Sequence, residues 1–208
     1  GSLAFTSSRP AQQRGFFTPM PGVTHVPFPN PYRPVFAGTD QAEGALAHIE
    51  QLFRHNVPAD EVAAVLVEPV LGEGGYVVPP AGFLAGLRTL CDRHGILLIF
   101  DEVQSGIGRT GRMFAWQHWG VRPDIITLAK GLGSGLPIGL AVAARRLMEQ
   151  WPPGAHANTY GGNPVACAAA LSTLDLVRNG LVDNAARMGE RLREGLRGIA
   201  AEFPCVGD

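Results

Sequence analysis

Asp124-Ile-Ile-Thr-Leu-Ala-Lys130 is a short apolar run that ends on a lysine and opens at once into Gly131-Leu-Gly-Ser-Gly-Leu-Pro137. Upstream, Ile96-Leu-Leu-Ile-Phe100 passes straight into Asp101-Glu-Val-Gln104. Both read as buried parallel strands whose carboxyl ends carry a polar group, and that edge is where open α/β sheets bind ligands. The fold class expected is therefore α/β, a mostly parallel sheet sandwiched by helices.

The pattern extends outward from these two runs. Further strands are predicted at 62–67, 125–129 and 140–144, and helices at 80–94, 163–179 and 181–203. Within 40–56, Ala45, Leu46, Ile49, Leu52 and Phe53 recur at helical spacing. Gly95 and Gly180 stand where helix C-caps belong. Residues 1–40 hold Pro19, Pro21, Pro27, Pro29, Pro31 and Pro34, a composition that precludes regular helix and predicts an extended segment lying over something else. The expected organisation is an extended segment over 1–40, a ligand-binding core over 41–179 and a connecting helix over 180–208.

Composition excludes several classes of function. With 208 residues and 46% hydrophobic content the chain can bury a substantial core. A formal net charge of −1 gives no electrostatic case for nucleic acid or an anionic membrane. No apolar run is expected to approach the ~20 residues that span a bilayer, and no basic-then-apolar leader is visible. Cys91, Cys167 and Cys205 are scattered and read as reduced thiols of a cytoplasmic protein. The six histidines are widely separated and no Cys-x-x-Cys occurs, so no metal is expected. The start at Gly1-Ser-Leu and the stop after a long helix predict a fragment of a longer domain.

Lys130 and Asp101, delivered to one sheet edge by two strands, are what an aldehyde cofactor with a basic ring nitrogen requires: an amine for a Schiff base, and a carboxylate that keeps the ring nitrogen protonated. Apolar neighbours on one side of Lys130 and small residues on the other predict a buried, desolvated amine, usable as nucleophile and proton carrier. Each residue also has a plainer reading, Lys130 as a snorkelling lysine and Asp101 as a helix cap. The Ile96–Glu102 string further resembles the strand-plus-acid element of P-loop hydrolases, but Gly-x-x-x-x-Gly-Lys-Ser/Thr does not occur in the chain. Glu68 and Glu73 follow another apolar run, and arginine partners suit them better than metal. The stretch from His156 to Pro164 places Thr159 and two glycines before a helix, which suits either a phosphate or a simple capped helix entry.

These residues carry a family resemblance. The strings Glu68-Pro-Val-Leu-Gly-Glu-Gly-Gly75, Cys91-Asp-Arg-His through Gly111, Pro123-Asp-Ile-Ile-Thr-Leu-Ala-Lys130 with its glycine-rich turn, and Asn158-Thr-Tyr-Gly-Gly-Asn-Pro164 resemble class III pyridoxal-phosphate aminotransferases of fold type I, most of all the 4-aminobutyrate branch. The segment from Arg14 to Arg33 also resembles a subgroup that includes broad-specificity amino-acid racemases.

The resemblance implies pyridoxal 5'-phosphate as cofactor, with Lys130 forming the Schiff base and shuttling a proton, and Asp101 pairing with the ring nitrogen. Val103 would pack on a ring face and Gln104 would bond the phenolic oxygen. Thr159 would reach the phosphate of a neighbouring subunit's cofactor, making a homodimer with shared sites. Glu73 would pair with a mobile arginine, and Glu68 would shape the substrate end. The implied reaction moves an amino group from an ω- or α-amino donor to an oxo acid such as 2-oxoglutarate. The alternatives are racemisation at Cα, or a catalytically incomplete fragment that only folds and dimerises. Leu71 departs from the family's usual glutamine, and the family's phosphate cradle, cofactor-stacking aromatic ring, small domain and arginine are not found in these residues.

Overall fold

Four strands form one sheet in the computed structural model, which describes residues 1–7, 10–16, 20–38 and 40–206. Phe17, Thr18 and Pro19 of the opening segment and the terminal Gly207 and Asp208 lie outside the described residues. Ahead of residue 40 the described backbone forms only a 3-10 turn at Ser2–Phe5 and a single helical turn, α1 (Pro10–Gln13), as its prolines dictate. The first long helix, α2 (Gln41–His55), starts where the Asp40 carboxylate accepts from the Ala42 and Glu43 N–H groups at 2.8 and 3.1 Å. Strand β1 (Ala64–Val67) and helix α3 (Phe83–His94) follow. The helix begins three residues later than its periodicity suggests, because Pro79, Pro80 and a left-handed Gly82 (φ 86°) hold the chain out of helix.

Then come β2 (Leu97–Asp101), β3 (Ile125–Leu128) and β4 (Leu140–Ala143), in spatial order β1-β2-β3-β4. The first three run parallel, in register Val67↔Phe100 and Asp101↔Thr127, and β4 returns antiparallel with Leu128↔Leu140. After α4 (Arg145–Met148), α5 (Pro164–Leu176) starts from Asn163, whose side chain accepts from Val165 and Ala166 N–H. A wide turn at Val177–Leu181 leads into α6 (Val182–Glu202).

Leu98 and Phe100, fully buried, meet Leu84, Leu87, Leu90 and Cys91 of α3 and Ala45 and Ile49 of α2 in the main core. Burial holds the Cys91 thiol up at about 11, so it is an inert core group. A second cluster joins Leu128, Leu132 and Ala170 and packs α5 against the turn that follows β3. The expectation of fully buried strands needs correction. Burial in β2 alternates, and Leu66, Leu140 and Val142 are 41%, 45% and 44% exposed, because no element among the described residues packs over them.

The reading that no run could span a bilayer is also corrected. By length and composition alone Pro164–Glu202 would suffice. Asn179 (φ −95°, ψ 25°) and Gly180 (φ 141°) leave helical geometry, however, and divide the run into α5 and the strongly amphipathic α6.

Asp124 ties the sheet together. Its Oδ2 accepts from Leu98 N–H at 2.9 Å and from Arg88 Nη1 at 2.8 Å, while its own N–H donates to Leu98 O at 2.8 Å. Burial pushes this carboxyl up, but the Leu98 bond and the Arg88 guanidinium outweigh burial and hold it below the ordinary aspartate range. A depressed carboxyl contributes stability that is present at neutral pH and is lost as pH falls below about 4. Asp124→Asn should therefore cost about 1–3 kcal/mol at neutral pH. In unfolding titrations at successively lower pH the gap between wild type and variant should close, and a constant gap would contradict this role for Asp124.

Candidate active site

The loops after β1, β2 and β3 meet at the carboxyl edge of the sheet. Asp101 is the last residue of β2 and is half-buried. Its Oδ1 accepts from Val103 N–H at 3.0 Å and from the Thr127 hydroxyl at 3.1 Å. The β2–β3 register sets Thr127 directly beside it, so the strand pairing fixes the direction of the carboxylate.

Lys130 leaves β3 two residues beyond Leu128 and opens a 3-10 turn, Lys130–Gly133. Its φ is 43°, a left-handed backbone that costs an L-residue about 1–2 kcal/mol. Such strain in a non-glycine residue concentrates at functional sites. Its ammonium donates to Gln104 Oε1. The predicted burial of Lys130 is wrong for the described residues: the side chain is exposed. Of the small residues that follow it, Gly131, Ser134 and Gly135 are exposed as well, while Gly133 is buried.

Glu68 belongs to the same cluster. Its Oε2 accepts from Gly72 N–H at 2.9 Å. Burial, first, raises its carboxyl above the ordinary range, the Gly72 bond opposes that, and the charges of Asp101, Lys130 and Glu73 all act on it. The structure thus brings Glu68, Asp101, Gln104 and Lys130 together, with Glu73 exposed at the margin. Neither glutamate forms an ion pair with an arginine among the described residues. Val103 is half-buried beside Asp101. Thr159 is exposed on the turn before α5 and, among the described residues, makes no hydrogen bond to the cluster; Asn163 caps the helix that follows.

One orphaned atom bears on the ligand. Gln104 Nε2 is buried and, among the described residues, has no hydrogen-bond partner, although its companion Oε1 is engaged by Lys130. A buried N–H donor without an acceptor is costly and suits an anionic ligand oxygen. An amine, a carboxylate and a free amide donor at one edge fit an aldehyde cofactor that carries a basic ring nitrogen and a phenolic oxygen. Among the described residues no group of His, Cys, Asp and Glu is arranged to hold a metal ion.

Sequence reasoning gave no role to Glu102, which is 0% exposed. Its carboxylate accepts from Ala115 and Trp116 N–H at 2.7 and 2.8 Å, and its own N–H donates to Thr127 O at 3.0 Å. It closes the loop that carries Val103 and Gln104. Burial raises its carboxyl, with the two backbone bonds opposing. The only sequence signal for it is an acid directly after an apolar strand, and Asp101 carries the same signal one residue earlier.

Comparison with known proteins bears on the same edge. The family model described as aminotransferase class-III matches residues 1–208. A putrescine aminotransferase from Pectobacterium atrosepticum is 44% identical over 208 residues, covering 98% of this chain and 41% of that protein. An acetylornithine aminotransferase from Mycobacterium bovis is 46% identical over 201 residues, covering 96% and 45%. Among solved structures, an amine transaminase from an uncultivated Pseudomonas species in the PLP-bound form superposes with TM-score 0.86 at 37% identity, over 95% of this chain and 47% of that one. A thermostable (S)-enantioselective omega-transaminase from Thermomicrobium roseum superposes with TM-score 0.87 at 38% identity, over 96% and 46%. The chain spans less than half the length of the curated relatives it matches.

Proposed function

The chain belongs to the class-III aminotransferase family, and from that premise we propose that the protein binds pyridoxal 5'-phosphate and transfers an amino group from an amino donor to an oxo acid such as 2-oxoglutarate. The observation that carries this reading is the convergence of Lys130, Gln104, Asp101 and Glu68 at one sheet edge. Relatives named for putrescine and acetylornithine favour donors with a terminal amine.

When bound, the cofactor supplies an electron sink for the pair of electrons left at the donor carbon. The chain's own residues hold and position. Lys130 Nζ would hold the cofactor's aldehyde carbon and would move the proton at the donor carbon; its side chain is exposed on the turn after β3. Asp101, anchored by Val103 N–H and the Thr127 hydroxyl, presents its carboxylate to the ring nitrogen. Val103 would pack on the ring, and Gln104 Nε2, buried and without a partner among the described residues, would donate to the phenolic oxygen. Glu68 lines the substrate end, and Glu73 awaits an arginine outside residues 1–208. Thr159, exposed, reaches the phosphate held by a second subunit, so the assembly we propose is a homodimer with shared sites, working in the cytoplasm.

The test uses the full-length protein loaded with pyridoxal phosphate. A terminal-amine donor with 2-oxoglutarate should yield glutamate, and either reactant alone should yield none. Racemisation of L-alanine without any oxo acid would reject simple transamination in favour of the racemase reading. A wild-type protein that takes up no cofactor would reject both.

A further inference from the structure

We propose that Gly72 is a positioning residue: the space its missing side chain leaves is occupied by the Gln104 amide, and this interlocks the loop after β1 with the loop after β2 beside Lys130. A Cβ at Gly72 would stand 2.9 Å from Gln104 Cδ and 3.0 Å from Glu68 Oε2, and closer still to Gln104 Nε2. The approaches to Gln104 are closer than real Cβ atoms show, and the one to Glu68 is tighter than most, so something must move.

The backbone at Gly72 is not free to yield. Its N–H donates to Glu68 Oε2 at 2.9 Å, and its carbonyl accepts from Gly75 N–H at 3.0 Å and Tyr76 N–H at 2.8 Å. Nor does local conformation call for glycine, since Gly72, unlike Gly75 (φ 138°), is not among the positive-φ residues. Glycine is needed at position 72 for room alone. The side chain that must yield is Gln104, and when it does, Lys130 loses the acceptor of its ammonium and the orphaned Nε2 donor is aimed elsewhere. The β1 loop thus sets the position of the β2 loop's amide through one shared volume.

That the interlock serves a cofactor rests on the function proposed above; the interlock itself does not. The test is a double-mutant cycle in the full-length protein with Gly72→Ala, Gln104→Ala and the pair. In the cofactor-free protein, Gly72→Ala should lower the thermal midpoint by about 3 °C, and the same change made on top of Gln104→Ala should lower it hardly at all. In the loaded protein, each single variant should weaken pyridoxal phosphate binding about tenfold, as expected for a displaced hydrogen bond. Both should also move the pH midpoint of the visible cofactor band in the same direction, and the pair should match Gln104→Ala alone.

Failure of Gly72→Ala to fold, with folding restored by Gln104→Ala, supports the interlock. Additive losses, an unaffected Gly72→Ala, or a pair that fails to fold overturn it. A thermal cycle that is non-additive in a wild-type protein that takes up no cofactor upholds the interlock and rejects the function.

Discussion

Lys130→Ala should abolish covalent attachment of pyridoxal phosphate and lower amino transfer by about 10⁴-fold, the combined loss of a nucleophile and a proton carrier. The wild-type protein should turn yellow with the cofactor, and borohydride should bleach it and leave the cofactor covalently attached through denaturation; the variant should release all of its cofactor after the same treatment. Neither result is a consequence of unfolding. Lys130 is exposed and, among the described residues, its side chain donates only to Gln104, so the variant should keep the thermal midpoint of wild type within a degree or two. Lys130→Gly, which also relieves the left-handed backbone at φ 43°, should be the more stable of the two by about 1 kcal/mol and equally inactive. Retention of colour and turnover in both variants would remove Lys130 from the chemistry and leave the β3 turn without a function.

Asp101→Asn separates charge from architecture. The amide oxygen can still accept from Val103 N–H and the Thr127 hydroxyl, so the edge of β2 should hold its shape. What disappears is the negative charge that would keep the ring nitrogen protonated. Turnover should fall by about 10²–10³-fold, the scale seen when one preorganised electrostatic partner is removed from a reacting centre. Asp101→Ala should lose the same turnover and, in addition, leave the Thr127 hydroxyl and the Val103 N–H unsatisfied at a cost of about 1–3 kcal/mol. Calorimetry beside steady-state kinetics distinguishes the two effects. Near-normal turnover in Asp101→Asn would mean that this carboxylate only caps its own loop.

Much of this was legible in the residues because it depends on neighbours along the chain. Gly95 closes α3 where expected, and α5 starts within a residue of its expected place, at Asn163, which caps it through its own short side chain. Apolar strands that end on Asp101 and Lys130 bring both groups to one edge, since parallel strands share a direction. The same logic failed where burial was concerned. Apolar neighbours suggested that Lys130 is enclosed, yet whether a strand-end residue is covered depends on which other elements pack above it. Glu102 shows the converse: a charged residue became one of the most buried in the molecule because two distant N–H groups, at Ala115 and Trp116, converge on it.

The amino-acid order by itself determined the α/β class, the presence and approximate bounds of the principal helices and the candidates at the sheet edge, because period, capping and turn chemistry act over a few residues. Only the tertiary structure decided that Asp124 fastens β3 to β2 and α3, that Lys130 is open to solvent, and that Gly72 gives way to Gln104. Those facts concern volumes and hydrogen bonds shared by segments tens of residues apart, and such contacts have no local signature.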